Sequence, residues 1–294
     1  GNGGDDLIKG GAGNDRIYGD AGNDRLYGGA GNDTLVGDAG DDLIHGGNGN
    51  DGVFGGGGHD TIHGNDGNDT LYGDGGNDTI RGGKGDDRLF GGTGDDKLFG
   101  DSGNDVIFAD AGNDTINGGS GFDTLDYSAA AAAITADLSK HTVSGAATGL
   151  DTVHGIERLI GSAFADTIKG SKSAEVISGG GGNDTIRGLG GADTLTGGAG
   201  NDVFAFLKKD VLSGTTHLGV DRITDFTAGD ALDLSDFFKG RTWSTIDDMV
   251  RVTDGAAGSI VAVKVGTAFV DVVQLDGVHG GSAAGMLADG MLLT

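Results

Sequence analysis

The chain has no cysteine and no proline among its 294 residues. Without cysteine it has neither disulfides nor thiolate metal ligands, so crosslinks and zinc-type sites cannot supply its stability. Without proline, and with glycine following no three-residue period, a collagen-like helix is excluded. Glutamate is almost absent: of 45 acidic residues, all but Glu157 and Glu175 are aspartate. Aromatic residues make up only 6%, with a single tryptophan, Trp243. No run of eighteen apolar residues occurs, so no segment reads as a membrane span. Basic residues number 19, which leaves a net charge of -26. That charge argues against nucleic acid or an anionic membrane surface as a direct partner. Bound cations would weaken this argument by neutralising charge. The chain holds no H-E-x-x-H, no G-x-S-x-G and no Walker loop ending in G-K-[ST], and Gly119-Ser120-Gly121 lies inside a repeat turn. No catalytic constellation is expected within these residues.

What is present is glycine, 65 residues of it, and aspartate, in strict order. From Gly1 to Asp126 a nine-residue unit repeats fourteen times without loss of register, GGAGNDRIY at Gly10–Tyr18 being typical. Position four is always glycine, from Gly4 and Gly13 to Gly121, and position six is always aspartate, from Asp6 to Asp123. Position eight is always aliphatic, from Ile8 and Ile17 to Leu125. A fixed period of this kind specifies a solenoid in which each coil touches only its neighbours. Positions seven to nine read as a short strand whose central residue faces a core, and the other six as a turn. Two units then make one coil, with strands on two faces and turns along two edges.

Such a core is thin. One aliphatic side chain per unit is a small burial gain against the ordering of nine backbone residues. Charge adds to the problem, since residues 1–126 hold 25 Asp, no Glu and 7 Lys or Arg. Stacking places the position-six carboxylates of every second unit about 5 Å apart, one strand spacing. A hard divalent cation answers both difficulties, because Ca2+ takes six to eight oxygens from carboxylates and backbone carbonyls. A disordered Gly/Asp linker has no need of an aliphatic residue at every ninth position. With no cysteine and few histidines, transition metals are not expected.

The nonapeptide resembles the hemolysin-type calcium-binding (RTX) domains of proteins exported by Gram-negative type I secretion. The resemblance implies an all-β fold: a right-handed parallel β-roll with Ca2+ held between turns two repeats apart, closed by a β-rich C-terminal cap. The expected ligands are the carboxylates of Asp6, Asp15, Asp24, Asp33, Asp42, Asp51, Asp60, Asp69, Asp78, Asp87, Asp96, Asp105, Asp114 and Asp123, with Asp184, Asp193 and Asp202 farther along. Backbone carbonyls, such as those of Gly10, Gly13, Gly28, Gly31, Gly82, Gly85, Gly179 and Gly182, complete the set. The resemblance also implies a secreted, extracellular location and the type I secretion machinery as a partner. The chain opens at Gly1 in full repeat register, with neither Met nor a signal peptide. It is therefore expected to follow an upstream module of the same polypeptide, where any catalysis of the parent protein would reside.

The chain is expected to divide into a first repeat block (1–126), an irregular spacer that continues the solenoid (127–160), a second block (161–205) and a cap with the secretion target segment (206–294). Within the spacer, Ala129–Ala133 is too short to hold a helix, Ile134–Leu138 and Thr142–Val143 read as strands, and Asp151–Ile160 reads as one more. Asp126, Tyr127, Ser128, Asp151, Glu157, Gly161 and Ser162 fit an insert pattern common in RTX proteins. In the second block the units GSAFADTIK and GSKSAEVIS lack the position-four glycine, and Glu175 replaces aspartate, so these two turns are expected to bind calcium poorly or not at all. In the last segment Phe204, Phe206, Phe226, Phe237 and Phe238 promise a core, Ile260–Val265 and Phe269–Leu275 a hairpin about Gly266, and Thr245–Val250 and Ala283–Leu293 helices.

The two strand faces differ at position nine. One would stack Tyr18, Val36, Phe54, Tyr72, Phe90 and Phe108 into a ladder, and the other Lys9, Tyr27, His45, His63, Arg81, Phe99 and Asn117. Cross-strand stabilisation explains such a ladder. The alternative is an adhesin or polysaccharide-binding face.

Overall fold

The structure, a computed structural model, describes residues 1–108, 110–213, 216–239, 248–265, 267–279, 281, 286 and 292–293. It is an all-β, parallel β-solenoid, and its residues fall into two compact units. One comprises Gly1–Ala130 with His141–Arg158, and the other Ala131–Lys140 with Leu159–Thr294.

In the first unit each nonapeptide contributes a strand that pairs, in parallel, with the strand eighteen residues on. Arg16–Ala21 pairs with Thr34–Ala39, and that strand with Gly52–Gly57. Leu7–Ala12, Arg25–Ala30 and Leu43–Asn48 do the same in the second sheet. Register is fixed like to like: Ile17 lies opposite Leu35, and Leu35 opposite Val53. Because every position-eight residue faces inward, a one-residue slip would expose the whole core. From Leu26 to Leu125 all of them have no exposed surface.

The strands run six residues rather than the three expected, from position seven to position three of the next unit. Pairing resumes beyond position one, with Asp20 opposite Asp38 and Ala21 opposite Ala39. Position one is thereby buried too, as at Gly19 and Gly28, and in every unit but that of Ala109 it is glycine, for a reason given below. The spacer's hairpin, Thr142–Gly145 with Gly149–His154, adds to the same unit, and Val153 stacks on Ile116 as the next core residue. The single strand expected over Asp151–Ile160 is instead two, Gly149–His154 and Arg158–Ile160. Gly155, at φ 60°, turns the chain between them.

In the second unit Ile134–Asp137, Thr167–Lys169, Thr185–Arg187, Val203–Ala205 and Ala231–Asp233 form one parallel file. Val176–Gly181, Thr194–Ala199, Asp221–Ile223 and Ala268–Asp276 form the other. Gly258–Val265 and Val250–Asp254 then add antiparallel strands to that second file, so the expected hairpin is present. Phe204, Phe206, Phe226, Phe237 and Phe238 are all buried. Trp243, Gly266 and most of the helices expected over Thr245–Val250 and Ala283–Leu293 lie outside the described residues. The last described pair, Leu292–Leu293, is a strand against Leu232 and Asp233.

Neighbouring glycines of one turn carry opposite demands. A Cβ on Gly58, which has φ 144°, would stand 2.0 Å from the Gly40 carbonyl oxygen, whereas one on Gly57 meets nothing within 4 Å. Position three already holds alanine at Ala12, Ala21, Ala30 and Ala39. Gly57→Ala is therefore expected to change stability by less than about 0.5 kcal/mol. Gly58→Ala is expected to lower Tm and broaden the melt, as followed by circular dichroism.

Candidate metal centre

Each position-six aspartate sits at the end of a turn, just before the strand carries its position-eight neighbour into the core. From Asp24 to Asp123 all of these carboxylates are buried, at 0–3% exposure. One oxygen of each accepts a hydrogen bond from the backbone N–H of the equivalent aspartate one coil earlier. Asp6 N–H donates to Asp24 at 2.7 Å, Asp24 to Asp42 at 2.7 Å, and Asp60 to Asp78 at 2.7 Å. The other edge runs in the same way from Asp15 to Asp33 and Asp51. The second oxygen has no donor. Among the described residues, Oδ2 of Asp15, Asp24, Asp33, Asp42, Asp51, Asp60, Asp69, Asp78, Asp87, Asp96, Asp105, Asp114, Asp123, Asp184, Asp193 and Asp202 is buried and without a hydrogen-bond partner. Asp6, on the first turn, is half-buried and is not one of them.

A buried carboxylate oxygen without a donor is costly, because it has given up water and received nothing. What lies beside it explains the position-one glycine. A Cβ on Gly19 would stand 2.3 Å from Asp24 Oδ2 and 2.8 Å from the Gly37 carbonyl oxygen. The same pair of contacts recurs at Gly10 with Asp15 and the Gly28 carbonyl, and at Gly64 with Asp69 and the Gly82 carbonyl. A side chain at Gly10, Gly19 or Gly64 would fill a space that a charged and a neutral oxygen share. That donor set, a carboxylate and carbonyls, is the set hard cations choose. The residues therefore fit a bound Ca2+.

Of the expected carbonyls, those of Gly28 and Gly82 face an orphaned carboxylate, and that of Gly179 lies beside Asp166. Those of Gly13, Gly31, Gly85 and Gly182 lie against the position-four glycine one coil on. Among the described residues no three His, Cys, Asp or Glu side chains converge.

Several participants are visible only in the structure. Position five, Asn or Asp in most units, forms a second ladder in the opposite sense: its side-chain oxygen accepts the N–H of position five one coil on, as Asn14 does from Asn32 and Asp41 from His59. Asp151 and Glu157 of the spacer take up the position-six role, accepting the N–H groups of Asp114 and Asp123. Asp221 and Asp230 do so for Asp193 and Asp202. The common signal is an acid two residues before a buried aliphatic: Asp151 before Val153, Glu157 before Leu159, Asp221 before Ile223, Asp230 before Leu232.

On the outer faces the rings lie plane to plane. Phe54, Tyr72, Phe90 and Phe108 stack at 5.0, 4.4 and 4.3 Å between centroids. Tyr27, His45 and His63 stack at 5.1 and 4.7 Å, and the Arg81 guanidinium covers Phe99 at 4.2 Å. These rings cover one another's faces.

Burial raises the pKa of several of these carboxylates. It pushes Asp60, Asp87 and Asp114 up to about 7, and Asp51, Asp69, Asp96, Asp105 and Asp184 up to about 6, against the pull of the N–H bond each accepts. Asp193 is raised by burial and by the charge of Asp221, and Asp221 by burial and by the charges of Asp210 and Glu175. A raised carboxylate pKa means that the folded state prefers the proton. Its cost to stability is fully present above the folded values near 7, and it is relieved as pH falls through them toward the ordinary value of about 4. The metal-free protein is therefore expected to gain β structure as pH is lowered from 8 to about 5. Far-UV circular dichroism in a chelator checks this, and a loss of β signal over that range would contradict it.

The RTX calcium-binding nonapeptide repeat model matches residues 1–35, 27–62, 54–89, 63–98, 90–125, 154–186 and 170–204, together more than half of the chain. Among solved structures, the chain is similar to the AlgE6R3 subunit of the Azotobacter vinelandii mannuronan C5-epimerase, with 28% identity over 46% of this chain and 76% of that one and a TM-score of 0.36. The AlgE6R2 subunit of the same enzyme shares 30% identity over 46% and 90%, with a TM-score of 0.25. Extracellular lipase LipA from Serratia marcescens shares 18% over 89% of this chain and 40% of its own, with a TM-score of 0.27. Comparison with curated proteins returns no significant match. The chain belongs to the RTX calcium-binding nonapeptide repeat family, and its repeats form a β-roll that binds several Ca2+ ions.

Proposed function

We propose that this chain is a calcium-driven folding and export segment of a larger secreted protein of a Gram-negative bacterium. The observation that carries the reading is the file of buried carboxylate oxygens without donors along the turns. In this reading the position-six carboxylates, from Asp6 and Asp15 through Asp123, with Asp184, Asp193 and Asp202, hold Ca2+ together with position-one and position-four carbonyls. Bound calcium supplies the positive charge and the coordination that those oxygens lack. The aspartates fix the strand entry, the glycines leave room for the ion, and the aliphatic file provides the core of the repeats. Binding free energy is then folding free energy. In the low-calcium cytosol the chain stays unfolded and passes the type I exporter carboxy-terminus first. In millimolar calcium outside the cell it folds from its C-terminal end.

Family membership supports the secretion context, and the apolar core of the second unit supports a capping role for residues 206–294. The mutual stacking of the outer rings supports strand stabilisation over a polysaccharide-binding face. No helix among the described residues is long and apolar enough to cross a membrane.

The export role predicts that deletion of residues 206–294 abolishes appearance of the chain in the medium when it is co-expressed with a type I exporter, while intracellular levels persist. Undiminished export of the truncated chain would contradict it.

A further inference from the structure

The repeat turns of residues 161–205 are of two kinds. In those of Asp184, Asp193 and Asp202 the carboxylate has an oxygen without a donor, and position two takes a positive φ: Gly180 at 101°, Leu189 at 82° and Gly198 at 99°. That a leucine is held in this region shows how strongly this kind of turn dictates its backbone. In the turns of Asp166 and Glu175, position two is Ser162 or Ser171, and neither takes a positive φ.

Their hydroxyls do something no other position two does. The Ser162 hydroxyl donates to Asp166 Oδ1 at 2.8 Å and accepts the Phe164 N–H at 3.0 Å, while the Ser162 N–H donates to Asp166 Oδ2 at 2.6 Å. Ile134 N–H adds a further donor to Oδ1 at 2.7 Å. Nine residues on, the pattern repeats: Ser171 donates through its hydroxyl and its N–H to the two oxygens of Glu175, and accepts the Ser173 N–H at 3.1 Å. Hydroxyls also close two carboxylates elsewhere. Tyr127 donates to Asp151 Oδ2 at 2.6 Å, and Thr227 donates to Asp230 Oδ2 through its N–H at 2.7 Å and its hydroxyl at 3.2 Å.

We propose that Ser162 and Ser171 take the place of a bound cation, so that the coil of residues 161–178 is built without calcium. The inference rests on the calcium reading above and refines it. An oxygen left without a donor requires an ion, whereas one that receives a hydroxyl and an N–H is already satisfied. The sequence mark of the ion-free turn is Gly-Ser at positions one and two with alanine at five, as in GSAFAD and GSKSAE.

The test counts calcium bound to the full chain at saturation by equilibrium dialysis. Asp166→Asn and Glu175→Gln are expected to lose no ion, and Asp184→Asn to lose at least one. Ser162→Ala is expected to keep the ion count, to lower Tm in saturating calcium, and to lower it less when Asp166→Asn is already present. Loss of an ion from Asp166→Asn or Glu175→Gln would overturn the proposal, as would a Ser162→Ala effect that simply adds to that of Asp166→Asn. If Asp184→Asn also keeps every ion, the calcium reading itself fails. The serine assignment then stands or falls on the coupling of Ser162 with Asp166 alone.

Discussion

Everything in this fold depends on a carboxylate that is half satisfied. The position-six aspartate accepts one backbone N–H from the coil before it, and that bond ties successive turns together along both edges. Its second oxygen is buried beside a backbone carbonyl with no proton to receive. A file of such groups repels itself and strains against burial, as the upward shift of the carboxylates records. A cation converts each of these liabilities into a bond. The preference for aspartate over glutamate in the strict repeats follows, since the shorter side chain holds its oxygen closer to its own turn.

The glycines follow from the same constraint. Position one is glycine in every unit but that of Ala109, because a methyl group at positions such as Gly19 would occupy the space between carboxylate and carbonyl, and position four is glycine because it lies on the carbonyl of the coil below. Once these small residues are in place, the coil has little left with which to build a core. One aliphatic residue per unit fills it completely, yet gains little per residue ordered. The design thus trades intrinsic stability for dependence on an ion, which suits the export and folding role proposed above.

How much of this was legible depended on periodicity. Where the period is strict, position six gave the carboxylate file, position eight the core, and position nine the ring stacks, because a fixed repeat turns sequence spacing directly into spatial neighbours. The three-residue strand was too short an estimate: pairing past position one relies on left-handed backbone at residues such as Asp20 and Asp38, which propensity does not anticipate. Asp151, Glu157, Asp221 and Asp230 escaped notice as members of the file because only an acid and an aliphatic two residues apart survive there. The role of Ser162 and Ser171 was hidden for a different reason. Loss of a glycine reads as a defect in the repeat, whereas the hydroxyl that compensates for it becomes visible only once donors and acceptors are paired.

The central claim is that calcium binding and folding are one event. The most direct measurement is far-UV circular dichroism of the chelator-treated chain at pH 8 during titration with calcium, with magnesium as the control. The account predicts a cooperative change from coil to β structure with calcium and none with magnesium, which is smaller and reluctant to give up its waters. A chain already fully β-structured in the chelator would contradict it.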